Sequence, residues 1–193
     1  MCEPRDFRYK RPVIRSAVST DLTTIQDIEI AAGAVFRDIG MDAVADDPPF
    51  TLEELTEYLR TECVWVAVDA HDTPVAYALV ALVDGAAHIE QVSVHPGHAR
   101  RRLGALLLDE ISAWAAERGL SALTLTTFAD VPWNAPYYER LGFRPIQERD
   151  LTPGLFRIRE AEARHGLTAW PRVTMTRPVT GPLGAVEPAR QPG

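Results

Sequence analysis

Three arginines in a row, Arg100, Arg101 and Arg102, stand where a strand-like run gives way to a helix-like one, in the stretch VSVHPGHARRRLGALLLDE from Val92 to Glu110. A helix N-terminus carries partial positive charge and favours acidic side chains. Three guanidinium groups at that end therefore repel the dipole and one another. An anion bound there reverses the problem. The first N–H groups of a helix lack intrahelical partners and point at such a ligand, and guanidinium forks match phosphate oxygens. The chemistry implied is capture of a polyphosphate or pyrophosphate. The competing reading is three solvated arginines splayed into water. The Gly…Gly-Lys-Ser/Thr spelling of a Walker loop is absent, and Gly97 and Gly104 alone do not make a dinucleotide fingerprint.

The elements that must position this turn follow from pattern and punctuation. Val13–Val18 reads as a strand, followed by a helix with Ser19 or Thr20 as cap and Leu22, Ile25, Ile28 and Ile30 at roughly helical spacing. RDIGMDAVADDPPF, residues 37–50, reads as a long loop. Thr51–Arg60 reads as a short helix whose Thr51 and Glu54 spell a capping box. Strands are expected at Val64–Asp69 and Pro74–Val83, with a hairpin turn between them, and at Ala87–Val94. The arginine-led helix should run to about Arg118, with Gly119 as its C-terminal cap. Then come a strand at Ser121–Thr127, a short helix in WNAPYYERLG with Asn134 as cap, and a strand in FRPIQER. A helix at Gly154–Gly166 and a last strand in PRVTMTRP complete the order. The expected fold is α+β: a mixed, mostly antiparallel sheet with one parallel, right-handed βαβ unit and helices on both faces. One domain is expected at 12–178, between a frayed tail at 1–11 and a disordered Pro/Gly-rich tail at 179–193.

Bulk properties narrow the partners. The chain has 193 residues, 46% hydrophobic and 24% charged, which suits one soluble domain. The formal net charge of −7 argues against nucleic acid as a partner. Of the 20 basic residues one is lysine, Lys10, and the rest are arginine. Cys2 and Cys63 make neither a disulfide framework nor a zinc pattern, so a reducing, cytoplasmic compartment and no metal are expected. The N-terminal run has no apolar signal core, and the longest apolar run, Val75–Val83, is too short to cross a membrane as a helix.

VSVHPGHARRRLGALLLDEI resembles the acyl-CoA-binding segment of the GNAT superfamily of N-acetyltransferases. The usual form of that segment is an apolar residue, any residue, Pro, then Gln/Arg-x-x-Gly-x-Gly/Ala. NAPYYERLGF, Asn134–Phe143, is similar to the family's late helix ending in Tyr-x-x-x-Gly-Phe. The resemblance spans about Val13 to Arg177 and departs at two places: Ala99 takes the Gln/Arg position and Arg102 takes the first glycine, while Gly104 keeps the second. It implies acetyl-CoA as co-substrate and direct transfer to an amine in a ternary complex. It places the pyrophosphate on the backbone N–H groups of Arg100, Arg101, Arg102, Leu103, Gly104 and Ala105, with arginine side chains reaching the pyrophosphate or the 3′-phosphate. A negative φ at Arg102 leaves that cradle intact, whereas a left-handed one costs about a kcal/mol or more.

The same resemblance assigns further residues. The Val94 N–H, freed by a strand bulge, would face the thioester oxygen and Val92 would line the pantetheine path, both valine side chains belonging to the core. Tyr138, four residues before Gly142, would protonate the departing thiolate; the alternative is an aromatic packed under its helix beside Tyr137. Asn134 would bond the pantetheine or adenine-side arm, cap its helix, or both. His88 and Glu90 share one face of a strand, and either could take the proton from the amine. The slight preference is Glu90, which lies deeper along the strand toward the bulge; a glutamate there needs its pKa raised by burial, or acts through water or by orienting the ammonium, and the alternative is a local hydrogen bond between the two. His95 and His98 flank the loop as phosphate contacts or caps.

The acceptor is less defined. Seven acidic residues and no Lys or Arg fall between Asp38 and Glu57, a rim suited to a cationic amine such as a polyamine, an aminosugar or a lysine-like amine, or simply a solvating face. Trp133 would form an acceptor-side wall, and the segment Pro153–Pro171, longer than a minimal hairpin link, could close over the acceptor. A protein or peptide N-acetyltransferase and a non-catalytic acyl-CoA sensor are the other readings, and the chain is expected as a monomer or homodimer.

Overall fold

The computed structural model describes residues 12–179. The tail expected at 1–11 and nearly all of that expected at 179–193 lie outside the described residues. The element order is β1 (Val13–Ser16), α1 (Leu22–Gly33), α2 (Asp42–Ala45), α3 (Leu52–Arg60), β2 (Val64–Val68), β3 (Pro74–Val83), β4 (Ala86–Val94), α4 (Leu103–Glu117), β5 (Ala122–Phe128), α5 (Ala135–Arg140), β6 (Arg144–Pro145), α6 (Pro153–Arg164) and β7 (Arg172–Pro178). The strands lie in the order β1-β2-β3-β4-β5-β7-β6. β4 pairs with β5 in parallel, while β1–β2, β5–β7 and β6–β7 are antiparallel. This is the mixed α+β sheet that alternation and turn residues predict. Among the described residues no helix is long and apolar enough to cross a membrane. The chain divides into two compact units, residues 12–77 with 93–107 and residues 78–92 with 108–179.

In the first unit β2 is buried along its whole length, which is why it reads as a continuous apolar run rather than an alternating one. Leu22, Ile25 and Ile28 of α1 and Leu55 of α3 are buried. α3 starts on a closed capping box: the Glu54 N–H donates to Thr51 Oγ1 at 3.2 Å and the Thr51 N–H donates to Glu54 Oε2 at 2.8 Å. The expected cap of the first helix needs correction. Asp21, not Ser19 or Thr20, occupies the cap position of α1 and makes no side-chain cap bond; its buried carboxylate instead accepts the upstream Val18 N–H at 2.8 Å and pairs with Arg15 at 2.7 Å. The Val18 N–H and the Arg15 guanidinium together hold the carboxylate on the upstream side of the turn. The loop expected at 37–50 is also partly helical. A 3-10 turn at Ala34–Ile39 stops on left-handed Gly40, and α2 follows.

In the second unit β5 and β7 pair over seven residues, from Ala122↔Pro178 to Phe128↔Arg172. Leu108, Ile111, Leu123, Leu125, Phe143 and Met175 are buried there. The strand expected in FRPIQER shrinks to Arg144–Pro145, with one further bond from the Ile146 N–H to the Thr174 oxygen at 2.8 Å. Pro145 has no N–H to offer a ladder, and a 3-10 turn at Glu148–Asp150 follows.

α6 is held at its N-terminus by the turn between β3 and β4. The Gly154 N–H donates to Asp84 Oδ2 at 2.6 Å, and Thr152 accepts from the Leu155 N–H at 3.5 Å. A Cβ on Gly154 would lie 2.5 Å from both Asp84 Oδ2 and Val83 Cγ1. Gly154→Ala is therefore expected to destabilise the protein by about 1–3 kcal/mol by overpacking. A urea midpoint unchanged from the wild type would show that α6 gives way at no cost.

Candidate functional site

The arginine turn belongs to the first unit. After β4 ends, the His95 N–H donates to the Val75 oxygen at 2.9 Å. A 3-10 turn at Pro96–His98 follows, closed by the Gly97 N–H on His95 Nδ1 at 3.1 Å and the Ala99 N–H on the Pro96 oxygen at 3.1 Å. Arg100 has φ 63° and Arg102 has φ 60°. The negative φ that would leave the cradle unstrained at Arg102 is thus not what forms. Two side-chain-bearing residues adopt the left-handed region, at about 1–2 kcal/mol each. Left-handed residues within a turn gather successive N–H groups into an anion-binding concavity. The backbone here therefore keeps a glycine-like path although arginine occupies it. All three arginines are exposed, and α4 follows with Leu103 buried. Half-buried His98 is held below its ordinary pKa by burial, then by Arg101 and His95, so it stays neutral and adds no repulsion.

Val92 and Val94 are half-buried while Ser93 between them is buried. The expectation that both valine side chains are core is corrected: strand alternation turns Ser93 to the inner face at this end of β4.

In the second unit Tyr138 sits on α5, its backbone oxygen accepting from the Phe143 N–H at 3.1 Å. Its ring meets Tyr137 and Phe143 edge-on, with centroids 5.5 Å and 5.6 Å away. Burial, with a smaller push from Tyr137, raises the phenol pKa well above the ordinary value, so it stays protonated as a donor. Asn134 occupies the cap position of α5, and its backbone oxygen accepts the Tyr137 and Tyr138 N–H groups. Its side chain does not cap. Instead Nδ2 donates to Thr127 Oγ1 at 2.7 Å, and Oδ1 is buried without a partner. Half of this amide is spent on fixing the side chain and half is left over.

His88 and Glu90 diverge once the fold is formed. The β4–β5 register sets His88 opposite Thr124, and His88 Nδ1 lies 2.9 Å from Thr124 Oγ1. His88 is 1% exposed, and burial pushes its pKa down to about 4 against a small opposing pull from Glu162. Its polar partner is Thr124, not Glu90. Glu90 is half-buried and lines a cleft of about 330 Å³ with Leu82, Val83, Arg157, Ile158 and Ala161. Burial raises the Glu90 pKa and Glu162 adds to that rise. Of the two, Glu90 combines raised proton affinity with a place in a cleft.

Two carboxylates escape the sequence reading. Glu162 on α6 accepts from Thr126 Oγ1, pairs with Arg172, and lies 3.4 Å from Arg159. Only the Arg159–Glu162 spacing was visible locally. Glu29 on α1 is half-buried and accepts the Phe50 N–H at 3.2 Å. Burial raises its pKa, with Asp47 and Glu54 adding and the Tyr77 hydroxyl opposing. The acidic stretch is also less bare than its sequence: Asp46 pairs with Arg37, just before it, and Glu57 with Arg60, just after it.

A family model described as Acetyltransferase (GNAT) family matches residues 33–143. Solved structures share the fold. One is Rv2747 from Mycobacterium tuberculosis in complex with CoA and NLQ: TM-score 0.65, 18% identity, covering 88% of this chain and 100% of that one. A second is the ribosomal-protein-S18-alanine N-acetyltransferase from Escherichia coli: TM-score 0.59, 20% identity, 90% and 97% covered. A third is the paia N-acetyltransferase from Thermoplasma acidophilum in complex with coenzyme A: TM-score 0.62, 13% identity, 86% and 98% covered.

Proposed function

The chain belongs to the GNAT family of acetyltransferases, and we propose from that premise that it moves an acetyl group from acetyl-CoA to the primary amine of a small cationic acceptor. The observation that carries the reading is the loop at Arg100–Arg102. It adopts a strained, glycine-like path that a bound diphosphate would repay. The three guanidinium groups add charge-assisted bonds to phosphate. The unpartnered amide oxygen of Asn134 suits an N–H of the pantetheine arm. Acetyl-CoA supplies, when bound, an acetyl group activated as a thioester.

The remaining steps fall to side chains and backbone. Glu90 removes the proton from the acceptor's ammonium, and its raised pKa brings it closer to the task than an ordinary carboxylate. As the amine's new C–N bond forms and the C–S bond breaks, the Tyr138 hydroxyl hydrogen-bonds to the departing sulfur, and the second proton of the attacking nitrogen passes to that sulfur, leaving the amide and the free thiol. The N–H of Val94 polarises the carbonyl oxygen, and Val92 borders the arm. His88, buried and neutral, supports Glu90's strand rather than moving the proton. The acidic stretch and Glu29 favour a cation as acceptor.

Calorimetric titration with acetyl-CoA, followed by thiol release across a panel of polyamines, aminosugars, lysine-like amines and peptides, tests the reading. Binding with release on a small cationic amine is the expected result. Release on peptides alone would make it a protein N-acetyltransferase, and binding without any release an acyl-CoA sensor. No binding would sink the assignment. Within the loop, Arg101→Ala is expected to weaken acetyl-CoA roughly tenfold or more, the worth of one charge-assisted bond, while acetyl-pantetheine, which lacks the phosphates, is unaffected. Arg102→Gly is expected to raise folding stability by about 1 kcal/mol by relieving the left-handed strain. Equal losses for both ligands with Arg101→Ala would show that the loop does not hold phosphate.

A further inference from the structure

α6 lies beyond residue 143, where the family match ends, yet it supplies part of the cleft wall around Glu90 through Arg157, Ile158 and Ala161. Glu162 is the next residue after Ala161. The β4–β5 register pairs His88 with Thr124 and Ile89 with Leu125. One step further brings Glu90 abreast of Thr126, on the same face as His88 and Thr124 because strand side chains alternate. The Thr126 hydroxyl donates to Glu162. Glu162 is therefore fixed over the strand position next to Glu90. It is held by Arg172, itself only 9% exposed at the side chain and stacked 4.5 Å over the Phe128 ring, and by Arg159. A carboxylate with three partners and 13% side-chain exposure does not drift.

We infer that Glu162 is a positioning residue whose anchored carboxylate adds to the effect of burial in making Glu90 hold its proton. The inference rests on Glu90 being the base of the proposed reaction only for its catalytic consequence. The electrostatic link stands without it. The other charges facing Glu90 are few. His88 on the same strand is neutral, and Asp84 comes from the turn after β3. Arg157 and Arg159 come from α6, and Arg172 from β7. Asp84 lines the same cleft from the turn after β3, and Glu162 adds a second carboxylate above β5 whose charge acts on Glu90. The negative charge disfavours ionisation of its neighbour, and Arg172 and Arg159 temper that effect. The sign of each substitution follows. Glu162→Gln removes a negative charge and leaves two arginines uncompensated, so Glu90 releases its proton more readily. Arg159→Gln leaves Glu162 less compensated, so Glu90 holds its proton more tightly.

The test is a ¹³C titration of glutamate side chains in the full chain, with Glu90→Gln identifying the Glu90 signal. Wild type, Glu162→Gln and Arg159→Gln are compared, and pH–rate profiles are recorded with the amine found in the acceptor panel. The Glu90 midpoint is expected to move down in Glu162→Gln and up in Arg159→Gln, with the acid limb of turnover moving in step. Glu162→Asp, which keeps the charge, is expected to restore most of the wild-type midpoint. Should Glu162→Gln fail to fold, Arg159→Gln still decides, because its side chain is 26% exposed and the expected shift has the opposite sign. An unmoved Glu90 midpoint in the folded variants overturns the inference. Midpoints that move while the acid limb stays put uphold it, and remove Glu90 instead from the role of base.

Discussion

Tyr138→Phe is expected to lower turnover by roughly 10²–10⁴-fold, the usual worth of a positioned proton donor, and to leave acetyl-CoA affinity within about twofold. The substitution deletes one oxygen. The ring contacts with Tyr137 and Phe143 that seat the side chain are between aromatic faces and edges and survive it. A loss confined to turnover would place the hydroxyl's contribution in the transition state, where charge builds on sulfur, rather than in ground-state binding. The raised pKa adds a second signature. A phenol that stays protonated through the working range contributes equally at every pH in it, so the ratio of wild-type to variant rate should be flat between neutral and mildly alkaline conditions. Its role is then hydrogen-bond donation to a developing thiolate more than full proton loss, since a phenol above its ordinary pKa parts with its proton reluctantly. Turnover within about threefold of wild type would return Tyr138 to the packing role.

A loss of folding stability approaching about 3 kcal/mol is expected to accumulate as pH falls from 6.5 toward 4, with His88 as its source. The unfolded chain binds a proton at His88 near pH 6.5, whereas the folded chain binds it only near 4. Between those values the unfolded state carries more protons, so acid favours unfolding, and the contribution is fully present only above about 6.5. The side chain is 1% exposed, so little solvent screens the effect. Urea unfolding at pH 7 and pH 5, compared between wild type and His88→Gln, isolates it, because His98, Glu29 and Glu90, whose own shifts also bear on this window, are present in both proteins. Wild type should lose about 2 kcal/mol more over that window than His88→Gln, which cannot charge. Equal losses in the two proteins would show that His88 accepts its proton in the folded state without penalty.

What could be read from sequence was what neighbouring residues decide. The capping box at Thr51 and Glu54, the left-handed Gly119 after α4, and the parallel link from β4 to β5 all rest on local spacing, and all are present. The fate of His88 and Glu90 was only half legible. Alternation placed them on one face, but which would be sealed in depended on Thr124, 36 residues away. Asn134 misled for the same reason: a cap preference of its type lost to a hydroxyl seven residues back on β5. Glu162, Thr126 and Arg172 come from three elements and meet only after β5, α6 and β7 have packed, so no spacing rule announces them. The loop at Arg100–Arg102 was hidden differently. Its backbone path is one that glycine normally advertises, and here arginine occupies it.

The bond between Asp84 and Gly154 also bears on which molecules the Glu90 cleft would accommodate. The start of a twelve-residue helix such as α6 would ordinarily welcome an anion. Here the chain has stationed a carboxylate of its own at that berth, held below the usual carboxylate range by the Thr152 hydroxyl and the Gly154 N–H, and placed to offset Arg157 as well. An acidic molecule approaching this wall meets a helix end already claimed and two glutamates nearby. On the proposed reading, an acidic acceptor is therefore expected to bind this cleft more weakly than a cationic one, through a contact that never needs to touch the molecule it turns away.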